Sequence, residues 1–307
     1  MNRLLHSRKA FRRSLQISRA RANIFVEGRA ADPFFYGGIV AKQFSSRMDY
    51  RLIKSDEIDG PQTGGKHKLL EVFEWLRRRH ELVLTFKGAS STAIFYLDKD
   101  IDDLTRRLKR SPHVVYTRAY DVEGEIFREG DIGLALAATC SLAHVDVESK
   151  VAAGRDYREL AMLSWQEWVV YCVAAQLAND VSVAGFGSRS KLHQPDAITA
   201  DIRSARAHHS SFVGACTTKG ESPEQLLKRA QRKVDAAYAN DGGYSVFKGK
   251  WFGEVIGELA AQDFPLEVRR IKAFPHRLTG QVAQSLDFSA GWTAHYADPL
   301  AKILAAL

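Results

Sequence analysis

The sequence of 307 residues has little cysteine and proline and no long apolar run. Its three cysteines, Cys140, Cys172 and Cys216, lack the C-x-x-C spacing of zinc sites, and their odd number argues against a disulfide framework. They predict reduced, buried thiols in a cytoplasmic protein. No stretch reaches the roughly 20 apolar residues that cross a bilayer, so no membrane span is expected. No apolar segment follows the basic start, which predicts that a secretory signal is absent.

Acidic residues are missing from positions 1–24, although the whole chain has a formal net charge of +8. A basic segment of this kind is attracted to phosphate-rich partners because binding releases counterions. It also has the composition of a mitochondrial presequence or of a solvated amphipathic helix. The presequence is disfavoured because a core strand starts at Asn23 and cleavage would expose it, whereas the other two interpretations stay open. The basic residues are Arg3, Arg8, Lys9, Arg12, Arg13, Arg19 and Arg21.

The first half of the chain alternates strand-like and helical segments. With 45% hydrophobic and 26% charged residues, the composition is that of an ordinary globular protein. The predicted strands are Asn23–Val26, Tyr50–Lys54, Thr92–Leu97 and His113–Arg118, and the predicted helices are Asp32–Phe44, Lys66–Leu82 and Asp102–Lys109. Four strands separated by helices predict an α/β fold with a parallel, doubly wound sheet and helices on both faces.

The second half shows helical patterns without a comparable strand series. Ser222 followed by Pro223 predicts a capped helix start. The expected helices are Tyr157–Asn179, Pro223–Ala239, Trp251–Ala261 and Asp298–Leu307. We therefore expect a basic segment over 1–22, a sheet domain over 23–150 and a mostly helical domain over 151–307.

Three carboxylates follow predicted strands. Glu27 precedes a glycine at the end of the first strand, and Asp98 and Asp100 follow the third. Ligands of open parallel sheets bind at the carboxyl ends of the strands. If these two strands are neighbours and period-2 alternation points Asp98 and Asp100 the same way, the three carboxylates converge. Such oxygen ligands suit Mg²⁺, with Mn²⁺ as an alternative, and predict phosphodiester hydrolysis.

A structural interpretation of these acids competes with the metal site. Asp100, Asp102 and Asp103 lie where a helix is predicted to begin, and acidic residues stabilise helix N-termini without any ligand. A single D-x-D is weak evidence of a site. The combination of a strand-terminal Glu-Gly with a strand-terminal D-x-D favours the metal site.

Several motifs around these carboxylates match one family. They are Phe25-Val26-Glu27-Gly28 with Asp32 and Phe34-Phe35-Tyr36, then Tyr116-Thr117-Arg118 with Asp121-Val122-Glu123, and later Gly249-Lys250. The pattern resembles the Rossmann-like TOPRIM domain of topoisomerases, primases and OLD-type nucleases. Length and motif order are most similar to the AriB-type effectors of PARIS anti-phage systems. The resemblance covers about residues 23–125 well and the helical half only through Gly249-Lys250.

The resemblance implies functional roles for individual residues. Glu27 would be a metal ligand or general base, and Asp98 and Asp100 would hold Mg²⁺. Glu123 would be a further ligand or would orient one, with an ordinary exposed acid as the alternative. The implied activity is a toxic, magnesium-dependent endonuclease that cuts RNA, with tRNA favoured, when an AriA-like ABC-type ATPase releases it. A homodimer of the free protein, an OLD-type DNA nuclease and a non-catalytic adaptor that binds an ATPase or nucleic acid remain open.

Basic residues beside glycines are the candidates for phosphate contacts. Lys66, Lys87 and Lys250 each adjoin a glycine, although a solvated surface role suits each of them alone. Arg12 and Arg13 of the basic segment, and the cluster of Arg269, Arg270 and Lys272, are further candidates.

A near-match to a nucleotide-binding loop lies between the second strand and its helix. The stretch from Gly60 to His67 approaches the P-loop pattern, but His67 replaces the hydroxyl residue that would bind Mg²⁺. Pro61 removes an amide next to the first glycine. We therefore do not expect this chain to hydrolyse nucleotides. The pair His208-His209 has no metal-ligand spacing and is predicted to be loop.

Overall fold

The computed structural model describes residues 8–28, 30–44, 48–58, 65–105, 108–154, 156–178, 209–210, 212–214 and 222–307. The chain forms two compact units. Unit 1 comprises Met1–Asp98, Leu108–Thr117 and Asp287–Leu307, and unit 2 comprises Lys99–Arg107 and Arg118–Leu286. Cys216 and His208 lie outside the described residues, whereas Cys140 and Cys172 are buried free thiols, as expected.

A five-stranded, mostly parallel sheet forms the centre of unit 1. Its strands are β1 (Ala22–Val26), β2 (Tyr50–Lys54), β3 (Val83–Phe86), β4 (Ala89–Leu97) and β5 (Val114–Tyr116). β1 lies between β2 and β4 and is parallel to both, and β5 is parallel to β4. The first and third predicted strands are therefore neighbours, which was the condition for the carboxylates that follow them to converge. The prediction missed β3, which pairs antiparallel with the first half of β4.

The helices occupy most of the remaining described chain. They are α1 (Arg8–Ile17), α2 (Ala31–Phe44), α3 (Gly65–Arg78), α4 (Asp102–Thr105), α5 (Val122–Glu129), α6 (Ile132–Cys140), α7 (His144–Ala152), α8 (Tyr157–Ser164), α9 (Gln166–Leu177), α10 (Pro223–Asp241), α11 (Gly249–Asp263), α12 (Pro265–Arg269), α13 (Phe274–Gln284) and α14 (Ala294–Ala305). Within the described ranges, no helix has the length and apolar character needed to cross a membrane.

Aromatic side chains cover both faces of the sheet in unit 1. On one face Phe25 and Phe95 stack at 4.4 Å, and α1 and α3 add Phe11 and Phe73 to the same buried cluster. On the other face Tyr96 contacts aromatic residues of α2 and α14 and donates a 2.8 Å hydrogen bond to the Tyr296 carbonyl. Neighbouring strand residues point to opposite faces, so helices flank this sheet on both sides, as predicted.

The two compact units differ from the domains expected from sequence. The basic segment is not separate, because Phe11 and Leu15 of α1 are 2% and 1% exposed in the core of unit 1. The final segment, Asp287–Leu307, also belongs to unit 1. Gln43 donates hydrogen bonds to Phe288 and Thr293 of that segment. The residues from Arg118 to 150, predicted within the sheet domain, belong to unit 2.

Unit 2 is helical in its described residues, as expected, but several boundaries change. The predicted helix Tyr157–Asn179 is two helices, α8 and α9, separated at Trp165. Of the predicted helix Asp102–Lys109, the structure shows α4 over Asp102–Thr105, whereas Leu108 and Lys109 are not helical. The capped start is confirmed, because the Ser222 hydroxyl accepts a 3.4 Å hydrogen bond from the Gln225 amide at the start of α10.

Candidate functional site

Glu27 and Asp98 lie side by side at the carboxyl edge of the sheet in unit 1. Glu27 directly follows β1 and Asp98 directly follows β4, and these strands are adjacent and parallel. The Asp98 amide donates a 2.8 Å hydrogen bond to Glu27 Oε1. Both residues are half-buried. The structure therefore places two of the three residues predicted to form the site next to each other.

The backbone around Glu27 is held from two sides. The Ser55 hydroxyl donates a 2.8 Å hydrogen bond to the Glu27 carbonyl, and the Gly28 amide donates a 2.7 Å bond to Asp32 Oδ2. The first residue of α3 is close as well, since a Cβ added to Gly65 would lie 3.2 Å from the Glu27 carbonyl oxygen. These contacts fix the turn that presents the Glu27 side chain.

Ser55 is the residue of this site that sequence reasoning missed. It directly follows β2 and is 8% exposed. The rule that singled out Glu27 and Asp98, a polar residue directly after a parallel strand, applies to Ser55 equally. A serine has no charge, however, and is therefore not among the residues that a prediction of metal ligands selects.

Asp100 does not continue the strand, so the alternation argument for it was wrong. β4 ends at Leu97, and Asp100 has a φ of 51°, in the left-handed region. Its amide donates a 2.7 Å hydrogen bond to the Tyr120 carbonyl within unit 2. Asp98 belongs to unit 1 and Asp100 to unit 2. The D-x-D motif therefore spans the boundary between the units.

Glu123 lies in the first turn of α5 in unit 2. Asp121, two positions earlier in the chain, is almost fully buried. Asp121 Oδ1 accepts hydrogen bonds from the amides of Gly124 at 2.8 Å and Gly249 at 3.0 Å. It thus caps α5 and also binds the first amide of α11. Lys250 Nζ lies 3.8 Å from Glu123 Oε1. The two later motifs found in the sequence, Asp121-Val122-Glu123 and Gly249-Lys250, are therefore in contact within unit 2.

Burial, followed by the negative charge of Glu123, raises the pKa of Asp121 to about 8, against lowering contributions from the Gly124 amide, Lys250 and Lys248. A carboxyl whose folded pKa exceeds its unfolded value stabilises the fold at low pH and loses that contribution as pH rises toward the folded pKa. We expect unit 2 to lose stability between about pH 4 and pH 8 through this group.

Asp121→Asn tests that expectation, because an asparagine oxygen still accepts both amides and does not titrate. Urea unfolding at several pH values should show a smaller decline in the free energy of unfolding for the variant than for the wild-type protein. Equal declines in the two proteins would show that Asp121 does not carry the effect.

The donor set of unit 1 fits Mg²⁺. Carboxylate oxygens are its preferred ligands, and proteins commonly hold it through one or two carboxylates together with waters and substrate phosphates. Glu27 and Asp98 meet that requirement. Among the residues that the structure describes, no group of three or more His, Cys, Asp or Glu side chains is placed to hold a metal ion. The fit therefore rests on a carboxylate pair and not on the predicted triad.

No family model and no curated protein matches this chain. The site is therefore characterised by its own geometry.

The predicted phosphate contacts have different outcomes. Arg12 of α1 forms an ion pair with Glu81, so its guanidinium is engaged by a carboxylate of the same unit. Lys87 occupies the β3–β4 turn with Gly88, at φ values of 51° and 80°, and there the glycine serves the turn. Lys66 is half-buried with Nζ 5.7 Å from the Tyr116 ring centroid. Arg13 and Lys250 are exposed, and Lys250 lies near Glu123.

The remaining basic and histidine candidates lie in unit 2 or near the P-loop-like stretch. Arg269, Arg270 and Lys272 are exposed. His209 is helical and not loop, and its Nδ1 lies 3.2 Å from the Tyr171 hydroxyl. His67 is in the first turn of α3, 3.6 Å from Glu71, and residues 60–64 lie outside the described ranges.

Proposed function

We propose that this protein is a magnesium-dependent TOPRIM-type nuclease that hydrolyses phosphodiester bonds of RNA, with tRNA as the favoured substrate. The observation that carries the proposal is the Glu27–Asp98 pair. Two carboxylates follow adjacent parallel strands, and an amide hydrogen bond of 2.8 Å joins their residues. The sequence motifs that surround both carboxylates resemble those of TOPRIM nucleases and support the same function.

The chain contributes the charge and the positioning of this site. Glu27 and Asp98 would hold the cation, and Mn²⁺ has the same ligand preference. When bound, the cation supplies polarisation of a phosphoryl oxygen and a water of lowered pKa. Ser55 and Asp32 fix the backbone on either side of Glu27. Lys66, at the start of α3, supplies a positive charge in the same unit for a substrate phosphate.

The proposed biological setting follows from the resemblance to AriB-type effectors. A nuclease of this kind would be toxic in the cytoplasm unless restrained, and an AriA-like ABC-type ATPase is the proposed partner. Unit 2 is the proposed docking part for the ATPase or for a second copy of the chain.

A non-catalytic adaptor is the second candidate. It is favoured by the fact that no three-residue metal group occurs among the described residues. An adaptor would bind RNA or an ATPase through the same fold without cutting.

The test incubates the purified protein with tRNA and with plasmid DNA, in Mg²⁺ and in EDTA. We expect tRNA cleavage in Mg²⁺ only, and a loss of at least ~100-fold in Glu27→Gln, which removes the negative charge but keeps the side-chain shape. Cleavage of plasmid alone would replace the proposal with an OLD-type DNA nuclease. Absence of any cleavage with retained tRNA binding would favour the adaptor.

A further inference from the structure

Arginines gather at the edge of unit 1 where β1 begins, opposite the edge that carries Glu27. Arg19 and Arg21 directly precede β1, and Arg13 lies on α1. α3 begins beside Glu27, so its last turn lies at the far edge, and Arg77–Arg79 are found there. All of these side chains are exposed. We call this set, Arg13, Arg19, Arg21, Arg77, Arg78 and Arg79, the arginine edge.

Specific contacts hold the elements of the arginine edge together. Glu81 forms ion pairs with Arg12 of α1 and with Arg79 at 3.4 Å, and its amide donates to the Leu76 carbonyl of α3. The Arg21 amide donates a 2.7 Å hydrogen bond to the Asp49 carbonyl beside β2. α1, β1 and the end of α3 therefore present their cations from one ordered surface.

Positive charge exceeds negative charge on this surface. Glu81 is occupied by Arg12 and Arg79, and Glu74 is occupied by Arg77 and Lys109. Arg13, Arg19, Arg21 and Arg78 form no ion pair with any residue in the described ranges. Asp49 is a further exposed acid beside Arg21, but the six arginines of the edge outnumber Glu74, Glu81 and Asp49. Holding this excess of like charge together costs free energy that an anionic ligand would recover.

We propose that the arginine edge binds the phosphate backbone of RNA. Arginine presents a planar fork of donors that matches phosphate geometry, whereas lysine is a point charge. An aromatic surface adjoins the cations, since the Arg79 guanidinium lies 5.5 Å from the Trp75 ring centroid. Trp75 lines a groove along α3 together with Leu70, Glu71, Glu74 and Arg78, and its indole ring next to guanidinium groups provides a stacking surface for a base.

The distance between the arginine edge and Glu27 sets a length for the RNA. β1 connects the two edges, and the six residue steps from Arg21 to Glu27 cover about 20 Å. An RNA that engages both edges must therefore extend at least that far, whereas a short oligonucleotide reaches only one. This length requirement rests on the proposed nuclease function, but the binding of RNA by the edge does not.

The experiment measures binding of fluorescently labelled tRNA in EDTA, where no magnesium-dependent cleavage occurs. The test variant combines Arg13→Gln, Arg21→Gln and Arg78→Gln, all exposed positions that take no part in the ion pairs described above. The matched control removes three exposed cations of α10 in unit 2, through Lys228→Gln, Arg229→Gln and Arg232→Gln. Phosphatidylserine vesicles are titrated in parallel.

We expect the test variant to bind tRNA at least ~10-fold more weakly, and the slope of log affinity against log salt to fall by about 2 to 3. The control variant should keep most of the wild-type affinity for tRNA and most of its salt dependence. Equal losses of tRNA affinity in the two variants would show that binding depends only on the net charge of the protein, and this would overturn the proposal. A loss of vesicle binding with unchanged tRNA binding would assign the edge to an anionic membrane instead. Both variants keep Glu27 and Asp98, and the assay measures binding without cleavage. The result can therefore be interpreted even if the protein proves not to be a nuclease.

Discussion

Asp98→Asn is expected to lower magnesium-dependent RNA cleavage by at least ~1000-fold while unit 1 stays folded. The carboxamide has no charge to hold a hard cation, and one of its two oxygens is replaced by a nitrogen that cannot act as a ligand. The hydrogen bond from the Asp98 amide to Glu27 comes from the backbone and survives the substitution. Initial rates of tRNA cleavage, with circular dichroism as the folding check, provide the measurement.

Asp103→Asn is the matched control for that substitution. Asp103 lies five positions further along the chain, is exposed and pairs with Lys99 at 3.6 Å. Its variant should cleave at a rate within a few-fold of the wild-type protein. Equal activity of the Asp98 variant and this control would remove Asp98 from the reaction.

Gly249→Ala is expected to destabilise unit 2 by about 3 kcal/mol or more. A Cβ at this position would overlap the Gly124 amide nitrogen and Asp121 Oδ1 and would lie 2.5 Å from the Glu123 carbonyl carbon. Backbone atoms cannot move aside as a flexible side chain can, so α11 would have to separate from α5. Urea unfolding of the two proteins, followed by circular dichroism, measures the difference.

Gly280→Ala serves as the control, because Gly280 is an exposed residue of α13 with open space around its would-be Cβ. An alanine inside a helix should be neutral or stabilise by about 0.5–1 kcal/mol. If Gly249→Ala proved as stable as Gly280→Ala, the close contact between α11 and α5 would be refuted.

The sequence predicted those parts of unit 1 that depend on local patterns. β1 and β2 were predicted within one residue, because β1 is a short, mostly apolar run and β2 is a short segment that contains the β-favouring residues Tyr50 and Ile53. Glu27 and Asp98 were found because polar residues directly after parallel strands gather at one edge of the sheet. The prediction missed β3 because Val83–Phe86 is short and largely exposed. The signal that could have indicated it is Lys87-Gly88, a two-residue turn of the type that joins hairpin strands.

Long-range packing limited the remaining predictions. Tyr96 and Tyr296 are 200 positions apart, and the hydrogen bond that joins their segments has no local signal. The break between α8 and α9 at Trp165 involves neither proline nor glycine, so helical periodicity runs across it. The predicted convergence of Asp100 assumed that the strand continues past Leu97. The left-handed φ at Asp100 shows why alternation fails there.

Binding of Mn²⁺, followed by electron paramagnetic resonance without nucleic acid, tests most directly whether the Glu27–Asp98 pair is a metal site. The wild-type protein and Asp103→Asn should bind Mn²⁺ and release it when Mg²⁺ is added in excess. Glu27→Gln and Asp98→Asn should each lose that binding. Unchanged Mn²⁺ binding in both of these variants would contradict the assignment of the pair as the metal centre.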